Sequence, residues 1–275
     1  MGSTAGSETT IIPERLFRIL RSAESADSAC FPRTEVFNEG WMLRLLLDAV
    51  ESSGKIALPL QFEPEAGWYS EARLASPFAA QQRADALAEG FTNADGVISQ
   101  FAFRSMTRAG FELATASTQF VVVEAKMFSN LSSGTRNAPA YNQAARNVAC
   151  MAYALARAGR RPESFSSLGF YVVAPMISKR RPGISNLEES LEPDKICAAV
   201  RQRIGAYEAI NRVETATLRS WEAEYFLPLV QRLSDTGGLK VLTWESCLDA
   251  ISAVDRKAGE ELGQFYDCCL SFVGP

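Results

Sequence analysis

The chain of 275 residues contains no histidine. This absence excludes Ser-His-Asp hydrolysis, HNH-type nucleases, metallo-β-lactamase sites and zinc deaminases, because each of those sites needs an imidazole as a base or as a metal ligand. Catalysis by this chain would have to use carboxylates, Lys, Cys, Tyr, Ser or a hard metal ion held by oxygen ligands.

The chain also lacks the patterns of secretion, membrane insertion and cysteine-based metal binding. Residues 1–10 have neither the basic start nor the apolar stretch of a signal peptide, and no apolar run approaches the roughly 18 residues of a membrane span. None of the six cysteines forms a CxxC pair, so free buried thiols are expected rather than a zinc ribbon or a disulfide framework. We therefore expect a cytoplasmic protein with no membrane partner.

Charge is low and slightly negative overall. The net charge of −4 at pH 7 gives no reason to expect nucleic acid over the whole surface. Basic residues nevertheless cluster at 157–161 and at Lys179, Arg180 and Arg181. Such a patch can bind phosphate groups while the molecule as a whole stays acidic, and a solvated charged loop is the alternative interpretation of either cluster.

Hydrophobic periodicity predicts helices and strands in alternation. Helices are predicted at residues 13–24, 34–50, 137–158, 194–213, 217–233 and 245–270, and strands at 94–103, 118–126, 168–174 and 239–243. Across residues 118–174, a buried strand, a helix and a second buried strand form a βαβ unit, so these strands should be parallel. The predicted fold class is α/β, with a mixed central sheet flanked by helices.

No repeat, low-complexity run or long linker divides the chain. We therefore predict one domain over residues 1–275. Its core is expected at about residues 34–175, and residues 193–275 are expected to add a helical elaboration. The Pro and Gly residues between 55 and 80 indicate loops around one or two short strands.

The most informative segment is VVVEAK at residues 121–126. Because strand side chains alternate between faces, Glu124 and Lys126 point the same way. Burying two charged groups is costly unless they offset each other as an ion pair or serve a function. Ligand sites in open α/β sheets lie at the carboxyl ends of strands, which is where this pair stands.

A second carboxylate, Asp95, stands at the start of an upstream strand, where Gly96 leaves room beside it. The spacing to Glu124 accommodates a strand, a turn and a return strand, so an antiparallel pair would bring the two carboxylates together. Adjacent carboxylates repel unless a cation lies between them, and oxygen ligands suit Mg²⁺ or Mn²⁺. Asp85 and Glu89 compete with Asp95 for this role.

An acid, a pair of strands and then E-x-K at a strand end resemble the PD-(D/E)xK, or restriction-endonuclease-like, nuclease superfamily. Glu39 lies on a helix before the strands, where many members carry a further acid. Gln143 lies on the helix after the E-x-K strand, where exonuclease-like members carry a Gln. The resemblance covers about residues 34–175 and departs from the motif at Ala94, where its name has Pro.

The resemblance implies a metal centre and assigns its residues. Asp95, Glu124 and the backbone carbonyl of Ala125 would hold one or two Mg²⁺ (or Mn²⁺) ions, which polarise the scissile phosphate and activate water. Lys126 would orient that water or stabilise the developing charge.

Further residues are assigned supporting roles by the same resemblance. Glu39 would supply an additional metal ligand, and Gln143 would help to position water or phosphate. The phosphate-binding surface is expected to include Arg146, Lys179, Arg180 and Arg181.

The implied reaction is hydrolysis of phosphodiester bonds in nucleic acid, with DNA favoured over RNA and with internal or terminal cutting left open. One alternative is a catalytically silent module of the same fold that binds nucleic acid or a protein. Another is a carboxylate-pair hydrolase, such as a glycosidase, that uses Asp95 and Glu124 without metal. A structural ion pair of Glu124 with Lys126, and a turn-forming role for Asp95, also stay open. A homodimer or a partner protein is compatible with the sequence.

Overall fold

The computed structural model describes residues 11–25, 30–54, 56–80, 83, 85, 87–104, 110–134, 138–176, 184–210 and 215–271. Over these residues the protein has the predicted α/β class, with a five-stranded mixed sheet flanked by helices. The strands are β1 Gly67–Leu74, β2 Thr92–Ser99, β3 Phe101–Phe103, β4 Phe111–Leu113, β5 Gln119–Ala125, β6 Ser167–Ala174 and β7 Leu239–Thr243. The sheet order is β1-β2-β5-β6-β7, and β3 pairs separately with β4.

The helices lie on both sides of this sheet. They are α1 Ile11–Ser22, α2 Glu39–Ser53, α3 Gln143–Arg157, α4 Ile184–Ser190, α5 Pro193–Ile210, α6 Thr215–Trp221, α7 Leu227–Thr236, α8 Trp244–Val254 and α9 Arg256–Ser271. One apolar cluster joins the sheet to α3, α5 and α7, and a second joins it to α2, α8 and α9. Among the described helices, none has the length and apolar character needed to cross a bilayer.

The βαβ unit predicted from the sequence is confirmed. β5 and β6 are parallel neighbours from Gln119↔Ser167 to Ala125↔Val173, and α3 connects them. Every residue of β5 is buried, because alternate side chains enter the two apolar clusters. Val122 packs on the α3 side and Val123 on the α2 side, which explains the unbroken apolar run of this strand.

The prediction of one strand at residues 94–103 is wrong, because the chain leaves the sheet after Ser99. The Ser99 hydroxyl donates to the Gln119 carbonyl (2.6 Å), and the side-chain oxygen of Gln100 accepts from the Thr118 N–H (3.1 Å). These bonds lie at the end of β2, where its pairing with β5 stops. The residues that follow form β3, outside the five-stranded sheet. β2 itself pairs antiparallel with both β1 and β5.

The strand predicted at residues 239–243 is confirmed, since β7 lies in the C-terminal region and supplies the fifth strand of the sheet beside β6. Two of the helices predicted in this region are divided. A π-helical turn at Glu222–Phe226 separates α6 from α7, where Pro228 has no N–H to donate. Asp255 divides the last helix, since its carboxylate accepts from the Ala258 N–H (3.0 Å) and starts α9.

Gly96 lets α2 pack closely on β2. A Cβ atom added there would lie 3.0 Å from Leu47 Cδ1 and 3.1 Å from Leu43 Cδ2. Gly96→Val is therefore expected to lower the free energy of unfolding by about 1–3 kcal/mol through overpacking. The matched control is Gly205→Ala in α5, where an added Cβ meets nothing within 4 Å and a gain of about 0.5–1 kcal/mol is expected. Urea unfolding measures both, and equal effects would contradict the tight packing at Gly96.

Candidate functional site

The candidate site lies at the carboxyl end of β5, on the face covered by α3. Glu124 is only 1% exposed, and the Lys126 side chain is 12% exposed. The Lys126 backbone is fixed on two sides: its N–H donates to the Val173 carbonyl (2.8 Å) and its carbonyl accepts from Trp244 Nε1 (2.9 Å). The lysine side chain therefore extends from a backbone held by β6 and α8.

Three side chains donate hydrogen bonds to the buried Glu124 carboxylate. Lys126 Nζ lies 2.7 Å from Oε1, and Gln143 Nε2 donates to the same oxygen. Asn147 Nδ2 lies 3.4 Å from Oε2. Gln143 and Asn147 are one helical turn apart on α3, so this helix presents two amides to the end of β5.

Asp95 lies next to Glu124 because β2 and β5 are antiparallel. The last pair in their register is Gly96↔Val123, and the next step along both strands places Asp95 beside Glu124. Asp95 Oδ2 accepts the backbone N–H of Ala125 (2.8 Å). The structure thus brings Asp95, Glu124 and Lys126 to one place.

The two carboxylates strongly affect each other. Burial, then the charge of Asp95, raises the pKa of Glu124 to about 8, although Lys126 opposes the shift. A carboxyl with this pKa favours its protonated form in the absence of a cation, because its charge lacks solvation and faces a second carboxylate. The local electrostatics therefore favour additional positive charge between Asp95 and Glu124.

A third carboxylate stands across the sheet from Asp95. Glu71 in β1 has a φ of 56°, the left-handed region that side chains other than glycine rarely adopt. The neighbouring pairs Ser70↔Gly96 and Ala72↔Ala94 place it opposite Asp95. Burial, then the charge of Asp95, raises the pKa of Glu71, while Arg44 on α2 lowers it.

Gln143 links the site to the loop that follows β5. Its side-chain oxygen accepts the Ser132 N–H (3.0 Å) and its own N–H donates to the Ser132 carbonyl (3.0 Å). The predicted helix at 137–158 begins only at Gln143, because the Asn142 side chain caps it by accepting the Ala145 N–H. This late start is what places Gln143 at the helix end nearest Glu124.

Asn147 was not predicted as a site residue. It is fully buried, and its Oδ1 atom has no hydrogen-bond partner among the described residues. Buried polar atoms without partners are rare in folded proteins. The available signal was an amide four residues after Gln143, on the Ala-rich side of a helix that the pattern otherwise marks as core.

Glu39 is the first residue of α2 and is half-buried. It lies one helical turn before Leu43, which packs on Gly96. Within the described part of the chain, its carboxylate makes no hydrogen bond or salt bridge. The structure therefore places Glu39 at the same end of the sheet, on the α2 side, without contact to Glu124.

Arg146 is engaged in an ion pair. Its Nε atom lies 3.8 Å from Glu89 Oε2, and Glu89 also accepts from Ser76 and Tyr141. Glu89 is thus committed to a separate network, and Asp85, whose carboxylate caps the Leu87 N–H (3.0 Å), forms a local turn. Neither acid joins the site that Asp95 forms with Glu124.

The two basic clusters have different outcomes. In the first, Arg157 pairs with Glu112 (2.9 Å) and Arg161 with Glu224 (2.8 Å), so ion pairs between elements use these side chains. The second cluster, Lys179, Arg180 and Arg181, lies outside the described residues.

The oxygen atoms at this site fit a hard divalent cation that takes few of its ligands from the protein. No group of three or more His, Cys, Asp or Glu residues poised for a metal occurs within the described ranges. Mg²⁺ is usually bound by one or two carboxylates and keeps several waters, so Asp95 and Glu124 suffice in number. The unpartnered amide oxygen of Asn147 adds a neutral oxygen on the same side.

Removing the Gln143 amide is expected to weaken the site and the fold together. Gln143→Ala deletes a hydrogen bond to a buried carboxylate and one to the Ser132 N–H, so we expect a loss of about 1–3 kcal/mol in the free energy of unfolding. Gln231→Ala is the control, since within the described ranges Gln231 donates only to the exposed Asp235 (2.7 Å) and its loss should change stability by less than about 0.5 kcal/mol. Equal stability of the two variants would show that Gln143 does not support Glu124.

Comparison with known proteins leaves the chain without an assigned relative. No family model, no curated protein and no solved structure matches it. The resemblance to the PD-(D/E)xK superfamily therefore remains an expectation from the motif residues of the sequence.

Proposed function

We propose that this chain is a metal-dependent nuclease of the PD-(D/E)xK type, which hydrolyses phosphodiester bonds in the cytoplasm, in DNA more readily than in RNA. One observation carries the proposal. A fully buried carboxylate, Glu124, lies beside a second carboxylate, Asp95, and a lysine, Lys126, at the carboxyl end of a central strand. A purely structural ion pair does not need the second acid, whose charge makes Glu124 harder to ionise.

Asp95, Glu124 and the Ala125 carbonyl would hold Mg²⁺ or Mn²⁺. When bound, the cation supplies charge stabilisation for the phosphate and lowers the pKa of water. The two acids then no longer repel each other, because positive charge lies between them.

The chain's own donors act on the substrate. Lys126 Nζ has three N–H donors and uses one on Glu124 in the described structure, so the others are available to a phosphate oxygen. A preorganised ammonium of this kind stabilises charge that develops in the transition state. Gln143, held by Ser132, fixes the orientation of Glu124 from the α3 side.

A catalytically silent binding module is the second candidate, and a specific observation favours it. The Glu124 carboxylate already accepts hydrogen bonds from Lys126, Gln143 and Asn147, so the protein alone partly satisfies it. Glycoside hydrolysis is less well supported. Its carboxyl groups stand roughly 5 Å apart or more, whereas the antiparallel register places Asp95 directly beside Glu124, where its Oδ2 accepts the Ala125 N–H.

The proposal is tested by incubating the purified protein with circular DNA, linear duplex DNA, single-stranded DNA and RNA. Each substrate is assayed with Mn²⁺, with Mg²⁺ and with EDTA, and with an Asp95→Asn variant as the matched control. Cleavage that needs the metal and is lost in the variant supports a nuclease. Binding of nucleic acid without cleavage under every condition would support the silent module instead.

A further inference from the structure

Arg203 on α5 is a buried cation enclosed by aromatic rings. The residue is 4% exposed. Its guanidinium carbon lies 5.4 Å from the ring centre of Phe78, 5.6 Å from that of Tyr141 and 5.8 Å from that of Tyr207. The rings offer their negative faces to the cation, but they provide no hydrogen-bond acceptors in the guanidinium plane.

Most of the hydrogen-bonding capacity of Arg203 is unused. Nη2 donates to the Leu87 carbonyl, whereas Nε and Nη1 are buried and have no hydrogen-bond partner among the residues that the structure describes. Within the described part of the chain, no carboxylate lies within salt-bridge distance of Arg203. A buried, unpaired charge is strongly unfavourable, so this arrangement favours an anionic ligand.

Two carboxylates that contact the tyrosines around Arg203 have other partners. Glu89 accepts from Ser76 and Tyr141 and pairs with Arg146. Asp85 caps the Leu87 N–H and lies 3.5 Å from the Tyr207 hydroxyl. Glu89 therefore pairs with Arg146, and among the described residues neither Glu89 nor Asp85 forms a salt bridge with Arg203.

A cavity of about 70 Å³ opens beside this arginine. Its wall includes Tyr141, Ala199, Gln202, Arg203 and Ala206. One water needs roughly 10–15 Å³ of such volume, so the space exceeds that of a single water and suits a small oxyanion. Gln202 supplies an amide at the wall.

We propose that this cavity binds an oxyanion of the phosphate class, with Arg203 as its charged ligand. Tyr141 on the cavity wall is two residues from Gln143, which bonds to Glu124. Two residues span at most about 7 Å of chain, so the cavity adjoins the site of the proposed nuclease. The ligand is either the terminal phosphate of a nucleic acid strand, which rests on the proposed function, or free inorganic phosphate, which does not.

The test measures thermal unfolding with inorganic phosphate in EDTA, with chloride holding the ionic strength constant. At ten times its dissociation constant, phosphate should raise the melting temperature of the wild type by roughly 3–5 °C. Ala206→Glu places a carboxylate one helical turn from Arg203 at the cavity wall. It should raise the melting temperature without phosphate and abolish the response to phosphate.

Ala198→Glu is the matched control, because Ala198 is exposed on the same helix and should keep the phosphate response. Arg203→Lys, which retains a charge without the planar donors, should reduce the response. No phosphate response in the wild type, or an equal response in Ala206→Glu, overturns the proposal. Since these measurements need no cleavage, their outcome is independent of whether the chain is a nuclease.

Oligonucleotides then identify the source of the oxyanion. Fluorescence anisotropy in EDTA compares strands with a 5′-phosphate, a 3′-phosphate or neither. Tighter binding of one phosphorylated strand to the wild type, but not to Ala206→Glu, assigns the cavity to a strand end. Equal binding of the three strands, together with the phosphate response, assigns it to free phosphate.

Discussion

Replacing Lys126 with Ala is expected to lower the rate of phosphodiester cleavage by about 10²–10³-fold, which is the cost of losing one preorganised stabilising group. The protein should stay folded, because Gln143 and Asn147 still donate to the Glu124 carboxylate. Metal binding should also persist, since Lys126 is a donor and not a ligand. Turnover should therefore fall more than substrate affinity, because the lost charge acts mainly in the transition state.

The control for this prediction is Lys240→Ala. Lys240 lies in β7 of the same sheet and is exposed, so its loss should leave cleavage and stability within experimental scatter. Single-turnover cleavage and thermal unfolding are measured for both variants. If Lys126→Ala unfolds while Lys240→Ala does not, Lys126 is a structural ion-pair partner and the catalytic assignment fails.

Replacing Glu124 with Gln is expected to abolish metal-dependent cleavage and, in EDTA, to leave the protein as stable or more stable by about 1–2 kcal/mol. The substitution removes a buried carboxyl group whose ionisation the neighbouring Asp95 opposes. The Gln oxygen can still accept from Lys126 and Gln143. Once the Asn147 amide turns over, the new NH₂ can donate to Asn147 Oδ1, a buried oxygen without a hydrogen-bond partner among the described residues. Loss of activity with no loss of stability would mark Glu124 as a functional residue rather than a structural one.

Glu222→Gln is the matched control for Glu124. The Glu222 side chain is also buried, but it pairs with Arg201 (3.1 Å) and Arg219 (2.8 Å). Its neutral substitute loses both ion pairs, so stability should fall by about 1–3 kcal/mol. Urea unfolding in EDTA compares the two variants. A large loss of stability in Glu124→Gln, equal to that of Glu222→Gln, would favour the structural interpretation of the Glu124–Lys126 pair.

The central part of the fold could be predicted from the sequence because burial dictates it. The apolar run before Glu124 and the apolar run of β6 are β-branched and aromatic, as is typical of strands covered on both faces, and an Ala-rich helix between them favours the parallel pair. The position of Asp95 beside Glu124 also followed, since the spacing between them accommodates an antiparallel return, although β3 and β4 occupy part of that connection. Local patterns were sufficient for these elements.

Other features depended on contacts that local patterns do not encode. The start of α3 is set by one capping residue, Asn142, and by the return of Gln143 to Ser132. The engagement of Arg146 with Glu89 joins distant parts of the chain. The left-handed backbone at Glu71 arises inside a strand pair, where the residue type predicts ordinary extended geometry.

The most direct test of the metal centre is the binding of Mn²⁺, followed by electron paramagnetic resonance. Wild-type protein and Lys126→Ala should both bind Mn²⁺ saturably. Asp95→Asn and Glu124→Gln should each weaken that binding by at least roughly tenfold, because each removes a charged oxygen ligand. Absence of saturable binding to the wild type, or binding that both carboxylate variants retain unchanged, would contradict a divalent-cation centre at Asp95 and Glu124.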